Sequence, residues 1–241
     1  MISERKFAES YKTFWDEAVP HLSYYCSTSE ARGKRFGRAI EIPEIGYHVS
    51  FNNIIATTHF KNISTDLNYP LKQSCIDSMP VMRIFSENYA KGYKLTEEYQ
   101  EIIMIQTERM ASQYAGKLVH DPSFPGYGIM ANCRGDLICG STLVEIKANT
   151  GKKYNKPFET RDFRQLIVYC ALNYLAGHKY RISKVNLFNP RMGFLWQSDI
   201  DGFIFHITRS TSAELFHAIG DFLLALSEPG LINESFSDAD Y

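Results

Sequence analysis

The sequence has little cysteine, and its cysteines follow no recognisable pattern. Five occur among 241 residues, and none belongs to a Cys-x-x-Cys pair. An odd and scattered set argues against a disulfide framework and against a zinc knuckle. We interpret the cysteines as small core residues of a protein in a reducing compartment. They stand at positions 26, 75, 133, 139 and 170.

The sequence also lacks an excess of charge and a long apolar run. Its formal net charge is −1, so a nucleic-acid partner would have to bind a local basic patch. No apolar stretch approaches the length of a membrane span. The first six residues lack the apolar centre of a signal peptide. These absences predict a cytoplasmic protein that has no membrane partner.

The apolar content is nevertheless high enough for a packed core. Hydrophobic residues make up 44% of the chain and aromatic residues 14%, which excludes a disordered protein. The length suits one α/β domain with additions. We expect an N-terminal α+β extension of unknown role over 1–90, a core over 91–230 and a flexible tail over 231–241.

The N-terminal third shows mixed patterns. Apolar spacing predicts a helix over 3–18, and alternation predicts a strand within 45–60. Residues 62–79 are expected to be irregular. Residues 32–38 carry four basic side chains. For these, two interpretations stay open: a solvated loop, or an arm that contacts phosphate groups.

The central stretch predicts a strand hairpin followed by a buried helix. Gly140 and Ser141 are typical of a tight hairpin turn. Residues 159–176 are apolar on nearly every side, as in a helix packed on a sheet. A mixed central sheet flanked by helices is therefore expected. The remaining predicted elements are helices over 95–116 and 211–227 and strands over 117–121, 127–139, 142–148, 180–188, 193–197 and 202–208.

Glu145 and Lys147 carry the strongest chemical signal. They lie two residues apart on the strand predicted over 142–148, so they point to one face. Such a pair is common on solvent-facing strands, but apolar neighbours indicate a central strand, where charged side chains need a partner or a metal ion. The hairpin would bring Asp136 beside Glu145, and two close carboxylates repel unless a cation lies between them. Oxygen ligands of this kind favour Mg²⁺ or Mn²⁺.

Three short motifs follow one another between residues 135 and 169. They are Gly135-Asp136, Glu145-Ile146-Lys147 and Gln165-Leu166-Ile167-Val168-Tyr169. Their order and their agreement with the predicted elements resemble the PD-(D/E)XK nuclease superfamily, and more narrowly its RecB-like branch. The resemblance implies a restriction-endonuclease-like fold and Mg²⁺-dependent hydrolysis of DNA, with Mn²⁺ as a substitute.

The resemblance also implies roles for the strand residues. Asp136 and Glu145 would be metal ligands, with the main-chain carbonyl of Ile146 as a third, and Lys147 would be the catalytic lysine. Some RecB-like nucleases hold an iron–sulfur cluster on cysteines near the C-terminus. No cysteine follows Cys170, so no such cluster is expected. No GxxxxGK[ST] motif occurs either, which predicts a nuclease domain without a helicase.

Helical residues would complete the implied site. Gln165 and Tyr169 lie one helical turn apart and would bind substrate or brace Lys147. The alternative for this pair is an ordinary helix surface. A further acidic ligand is expected from the helix before the hairpin, where Glu108 is the candidate and Glu101 the reserve. The alternative for both is a solvated helix charge.

Basic residues near the implied site are expected to bind nucleic acid. Arg161 and Arg164 lead into the helix that carries Gln165, which favours phosphate contacts. Lys152 lies in the basic loop before that helix, where solvation alone would explain it equally well. DNA is the expected partner, and a homo-oligomer or a partner protein is a further open prediction.

Two other interpretations compete with a nuclease of phage recombination, DNA repair or anti-phage defence. One is a non-catalytic nucleic-acid-binding or assembly subunit that keeps the fold, although all three core residues of the motif are present. The other is an unrelated α/β protein in which the motif arose by chance. The sequence does not distinguish an enzyme that cleaves from DNA ends from one that cleaves internally.

Overall fold

A computed structural model describes residues 1–42, 46–148 and 156–228, without the side chains of residues 46 and 47. The helices in these ranges are α1 (Glu4–Glu9), α2 (Lys12–Ala18), α3 (Leu22–Tyr25), α4 (Ser29–Arg32), α5 (Gly46–Ile63), α6 (Leu71–Phe85), α7 (Glu87–Gly92), α8 (Glu97–Gln113), α9 (Thr160–Leu175), α10 (Ile200–Thr208) and α11 (Ser212–Ala225). The strands are β1 (Lys34–Arg35), β2 (Leu118–His120), β3 (Ser123–Phe124), β4 (Cys133–Arg134), β5 (Leu137–Cys139), β6 (Thr142–Ile146), β7 (Lys184–Asn189) and β8 (Phe194–Asp199).

Six strands form one mixed sheet in the order β1-β8-β7-β6-β5-β2. Its central strands, β6 and β7, run parallel, and the other neighbouring pairs are antiparallel. Parallel neighbours need a long crossover connection, and α9 provides it. β3 and β4 form a separate two-stranded sheet. The predicted α/β class, with a mixed sheet flanked by helices, is confirmed.

One face of the sheet is covered by α9. Leu166 of this helix is fully buried in one cluster with Leu143 of β6 and Leu187 of β7. A capping box between Glu159 and Asp162 begins the helix and pairs N–H groups that its first turn leaves open. α1 and α11 pack against α9. The helix is therefore enclosed, as its apolar sequence predicts.

The opposite face of the sheet is covered by α5 and α8. Val144 and Ile146 of β6 pack in one cluster with Ile103 and Met110 of α8 and with Phe51 of α5. β6 is thus buried on both faces, which is typical of a central strand with a parallel neighbour. Charged side chains on this strand lie in the interior of the protein.

The tight turn predicted around Gly140 is present and joins β5 to β6. Gly140 has a φ of +60°, a left-handed conformation that glycine adopts at little cost. The register pairs Leu137 with Val144. Continuing this pairing by one residue places Asp136 opposite Glu145, as the hairpin predicts.

The strand predicted within 45–60 is wrong, because this segment belongs to α5. Phe51, Ile55 and His59 of the helix are buried, and their spacing of four residues fits one helix face. A short alternation of bulky residues is compatible with both the strand period and the helical period, so it did not identify this segment as a helix. Part of the segment predicted as irregular, 62–79, also forms a helix, since α6 begins at Leu71.

The strand predicted over 202–208 is also wrong, because the segment forms α10. Asp199 caps this helix by accepting a hydrogen bond of 2.8 Å from the amide of Gly202. Phe203 and Ile207 of the helix are buried at a spacing of one turn. The helix packs on β8 and α3, so its apolar residues complete the core without joining the sheet.

The helix predicted over 3–18 is divided into α1 and α2. Tyr11 between them has a left-handed φ of 55°, which interrupts the helical path. α1 packs on α9, β1 pairs with β8, and Ile2 forms a bridge to Met130. α1 and β1 thus pack on α9 and on the sheet, while the division of the chain at residue 90 stays a prediction.

Gly193 marks a close approach between two backbone segments. Its φ is +69°, and a Cβ atom there would lie 2.5 Å from the carbonyl oxygen of Gly37. Gly177 has a similar φ of +75°, but no atom lies within 4 Å of its Cβ position.

We expect Gly177→Ala to lower the free energy of unfolding by about 1–2 kcal/mol, because alanine is strained in the left-handed conformation of this residue. Gly193→Ala should cost clearly more because the backbone must move, and equal losses in urea denaturation would contradict this.

Candidate active site

Glu145 and Lys147 lie at the carboxyl end of β6 and point toward α9. They share a strand face with Leu143, which belongs to the α9 cluster. Glu145 is 5% exposed, and its Oε1 atom accepts a hydrogen bond of 3.0 Å from Lys147 Nζ. The two residues form a buried ion pair.

Asp136 approaches this pair from the end of the neighbouring strand. Its Oδ2 atom accepts a hydrogen bond of 2.6 Å from the main-chain amide of Ile146, so the backbone of β6 fixes the position of the carboxylate. Asp121 continues the row, and its amide donates to the carbonyl oxygen of Asp136 at 3.2 Å. The carboxylate of Asp121, however, pairs with Lys61 of α5 at 2.7 Å. Asp136 and Glu145 are thus the two carboxylates that the hairpin brings together.

Ionising both carboxylates is unfavourable at this position. Burial and the neighbouring Asp136 carboxylate raise the pKa of Glu145 from 4.5 to about 8. Burial also raises the pKa of Asp136. Burial acts to lower the pKa of Lys147, but the surrounding carboxylates raise it overall. The Oε2 atom of Glu145 is buried and has no hydrogen-bond partner among the described residues, so the site has an acceptor that its own donors leave unused.

α9 supplies two further partners of Lys147. Gln165 Oε1 accepts a hydrogen bond of 2.6 Å from Lys147 Nζ, and Asp162 Oδ1 lies 3.6 Å from the same nitrogen. Together with Glu145, these residues offer three acceptors to the three donors of the ammonium group. Asp162 is 5% exposed and also accepts a hydrogen bond of 2.8 Å from the amide of Glu159. The ammonium group is therefore held in one place from several sides.

Gln165 and Tyr169 form a chain of hydrogen bonds behind Lys147. Gln165 Nε2 donates to the hydroxyl oxygen of Tyr169 at 2.9 Å, and that hydroxyl donates to the carbonyl oxygen of Arg134 at 3.0 Å. Burial raises the pKa of Tyr169, so its hydroxyl stays a donor. These contacts orient the amide of Gln165 with its oxygen toward Lys147, which is an arrangement that braces the lysine.

Two residues of this cluster were missed by the sequence interpretation. Asp162 is one, since an acidic residue in a first helical turn normally indicates only a cap. Glu4 is the other: its Oε1 atom lies 3.5 Å from Gln165 Nε2, across 161 positions of sequence. No local pattern could have linked Glu4 to Gln165, because their contact depends on the packing of α1 on α9.

Glu108 and Glu101 do not join the cluster, which corrects the expected acidic ligand from the preceding helix. Both side chains are exposed. They lie on α8, whose Ile103 and Met110 pack on the other face of the sheet. Since Glu145 points toward α9, the sheet itself lies between α8 and the site. The alternative of a solvated helix charge fits both residues.

The three residues expected to bind nucleic acid have different surroundings. Arg164 is mostly buried, stacks over Trp15 with 5.4 Å to the ring centre, and lies 3.8 Å from Asp16. Burial lowers its pKa. Its contacts tether the N-terminal helices to α9, which explains its position without a phosphate. Arg161 is more exposed, and Lys152 lies outside the described residues.

No family model, curated protein or solved structure matches this chain. Among the described residues, no group of three or more histidine, cysteine, aspartate or glutamate side chains is placed to hold a metal ion. Nor does any helix in those ranges have the length and apolar character that a membrane span needs. Function therefore has to be inferred from the two carboxylates and from the residues that hold Lys147.

Proposed function

We propose that the chain is a metal-dependent nuclease that hydrolyses phosphodiester bonds of DNA. The main support is the buried carboxylate of Glu145, whose Oε2 atom has no hydrogen-bond partner among the described residues and which lies beside the carboxylate of Asp136. Three carboxylates, those of Asp136, Glu145 and Asp162, surround one cation, Lys147, and buried negative charge in excess of this kind is normally paired or bound to a cation. A divalent cation next to both side chains would remove their repulsion.

The donor set fits a hard cation such as Mg²⁺, with Mn²⁺ as a substitute. Asp136 and Glu145 would supply carboxylate oxygens, and Ile146 its main-chain carbonyl oxygen. Zinc would instead favour histidine and cysteine ligands. When bound, a divalent cation lowers the pKa of a water molecule and polarises a phosphate oxygen.

Lys147 would act on the reacting phosphate as a fixed positive charge. Its pKa is raised by the carboxylates around it, so the side chain stays protonated at neutral pH. It is therefore suited to neutralise charge that develops on the phosphate, and not to take up a proton. Gln165 and Asp162 hold it in place, which reduces the reorganisation that the reaction would require.

The order of the elements supports the same proposal. An antiparallel hairpin (β5 and β6), a crossover helix (α9) and a parallel strand (β7) bring Asp136, Glu145 and Gln165 to one end of the sheet. This arrangement is what the resemblance to restriction-endonuclease-like enzymes implies. We therefore extend the proposal from the observed α/β class to that fold family.

Cleavage of linear and circular DNA tests this function. We expect the purified protein to cleave DNA with Mg²⁺ or Mn²⁺ and to be inactive in EDTA. Cleavage of linear DNA alone would indicate an enzyme that acts from ends, whereas cleavage of circles would indicate internal cuts. A protein that cleaves neither DNA with either metal would contradict the proposal. If it still bound DNA, the non-catalytic subunit would become the better interpretation.

A further inference from the structure

A cavity of about 370 Å³ lies beside the first turn of α9. α9 contributes Arg161 and Arg164, and the segment before the helix contributes Lys156 and Phe158. A smaller cavity of about 30 Å³ shares Lys156 and Phe158 and is also lined by Arg32. The two cavities together form a basic recess, defined here by Arg32, Lys156, Arg161 and Arg164.

Carboxylates hold Arg161 of the basic recess in position. Arg161 lies 3.0 Å from Glu9 through Nη1 and 3.0 Å from Glu159 through Nε. A guanidinium group has two further N–H donors on Nη2. Glu9 and Glu159 pair with Arg161, and Asp16 lies 3.8 Å from Arg164, so three carboxylates offset three of the four positive charges and a net charge of one remains. The recess is thus electropositive and contains a preorganised planar donor group, which suits phosphate.

Lys156 supplies a second donor group that is weakly engaged. Its Nζ atom makes one long contact, 3.5 Å, with the carbonyl oxygen of Cys26. In the described part of the chain, neither Lys156 nor Arg32 takes part in an ion pair. Both charges are therefore available to an anion without breaking a contact that stabilises the fold.

The basic recess and the candidate active site share the first turn of α9. Arg161 lines the recess, while Asp162, the next residue, lies 3.6 Å from Lys147 on the site side. A nucleic-acid strand that runs from Lys147 across the first turn of α9 would bring a neighbouring phosphate to the recess. The start of α9 is capped by its own carboxylates, so the basic side chains, and not the helix amides, would bind this group.

We propose that the basic recess binds a phosphate group of the nucleic-acid substrate, next to the one that reacts. This role depends on the nuclease function proposed above. The phosphate is either the terminal phosphate of a DNA end or an internal phosphate of the backbone. A terminal phosphate would make the enzyme select ends, whereas an internal phosphate would position any strand.

Equilibrium binding in EDTA separates this inference from the nuclease function, because no cleavage is needed. Fluorescence anisotropy would follow DNA duplexes with 5′-phosphate, 3′-phosphate or unphosphorylated ends, with circular DNA as competitor. We expect Lys156→Ala and Arg32→Ala each to weaken binding about fivefold to tenfold, and to lower the slope of log affinity against log salt by about one. Lys72→Ala, a loss of an exposed charge on α6, is the matched control and should bind as the wild type does.

The DNA molecules on which the variants lose affinity identify the source of the phosphate. A loss confined to one phosphorylated end supports a pocket for that terminal phosphate. An equal loss on every DNA, circles included, supports a backbone contact. Wild-type affinity and salt slope in the double variant Lys156→Ala with Arg32→Ala would overturn the inference, even if the protein cleaves DNA. Binding changes in a protein that never cleaves would instead leave the recess supported and the nuclease function contradicted.

Discussion

Lys147→Ala should reduce metal-dependent cleavage of DNA by at least about 10²–10³-fold, the usual cost of losing one preorganised group that stabilises transition-state charge. The lysine donates at 3.0 Å to Glu145 and at 2.6 Å to Gln165, and these contacts fix its ammonium group beside the carboxylates. Single-turnover cleavage with saturating Mg²⁺ measures the effect on chemistry apart from binding. DNA affinity in EDTA should change little, because the loss concerns the reacting phosphate alone.

Lys184→Ala is the matched control for this variant. Lys184 is exposed at the start of the neighbouring strand β7, so its loss removes the same charge at the other end of the sheet. Breaking a buried ion pair also destabilises a protein, by about 3–5 kcal/mol when one partner is removed. Lys147→Met, which keeps most of the side-chain volume, provides a second variant if alanine prevents folding. Wild-type cleavage by either folded variant would place the active site elsewhere.

The second large effect concerns the stability of the metal-free protein as pH rises. The pKa of Glu145 is about 8 in the folded chain, against an ordinary value of 4.5. Between pH 4.5 and about 8, the folded state therefore keeps a proton on Glu145 that the unfolded state has already released. Its stability should fall as pH rises from about 5 to 8, because the folded state binds more protons than the unfolded state. The expected loss is on the order of a few kcal/mol, since each pKa unit corresponds to about 1.4 kcal/mol.

Glu145→Gln should flatten this dependence, because the amide cannot titrate. The raised pKa of Asp136 acts in the same direction and will leave part of the slope. The raised pKa of Lys147 contributes only above its ordinary value of 10.5, outside the range tested. Urea denaturation at pH 5.5 and 8 compares the wild type, Glu145→Gln and the exposed control Glu108→Gln. If Glu145→Gln loses as much stability as the wild type does, Glu145 is not the titrating group.

Adding Mg²⁺ to the same samples gives a second readout. Mg²⁺ should stabilise the wild type more at pH 8 than at pH 5.5, because metal ligands must be deprotonated. It should have little effect on Glu145→Gln at either pH. Equal stabilisation of both proteins would mean that the cation binds outside the two carboxylates.

The sequence predicts best those elements whose pattern is long or whose turn is strongly specified. The hairpin at Gly140 is predictable because a glycine turn fixes its register. α9 is predictable because an apolar run of this length must be buried on several sides. α5 was assigned to a strand because polar residues such as Asn52 and His59 lie on its buried face, and α10 because Phe205 lies on its exposed face, so the helical period is blurred in both. Their helical form depends on the surfaces that they cover, which no local pattern contains.

The same distinction applies to the candidate site. Asp136, Glu145, Lys147, Gln165 and Tyr169 lie on one hairpin and the helix that follows it, so their proximity is a local consequence of the predicted elements. Glu4 and Asp162 join through the packing of α1 and the position of the first turn of α9. Glu108 was expected as a ligand but lies away from the cluster. A helix before the hairpin can cover either face of a sheet, and the sequence does not indicate which face it covers.

The packing of α1 on α9 and of β1 on β8 has a consequence for synthesis on the ribosome. α1 and β1 are synthesised before their partners, which follow more than 150 residues later. A nascent chain that ends before α9 contains Asp136 and Glu145 but neither Gln165 nor any partner for Glu4. The complete cluster therefore forms only after α9 has been synthesised. For a chain with the activity proposed above, prematurely terminated products would carry the acidic hairpin without the assembled cluster.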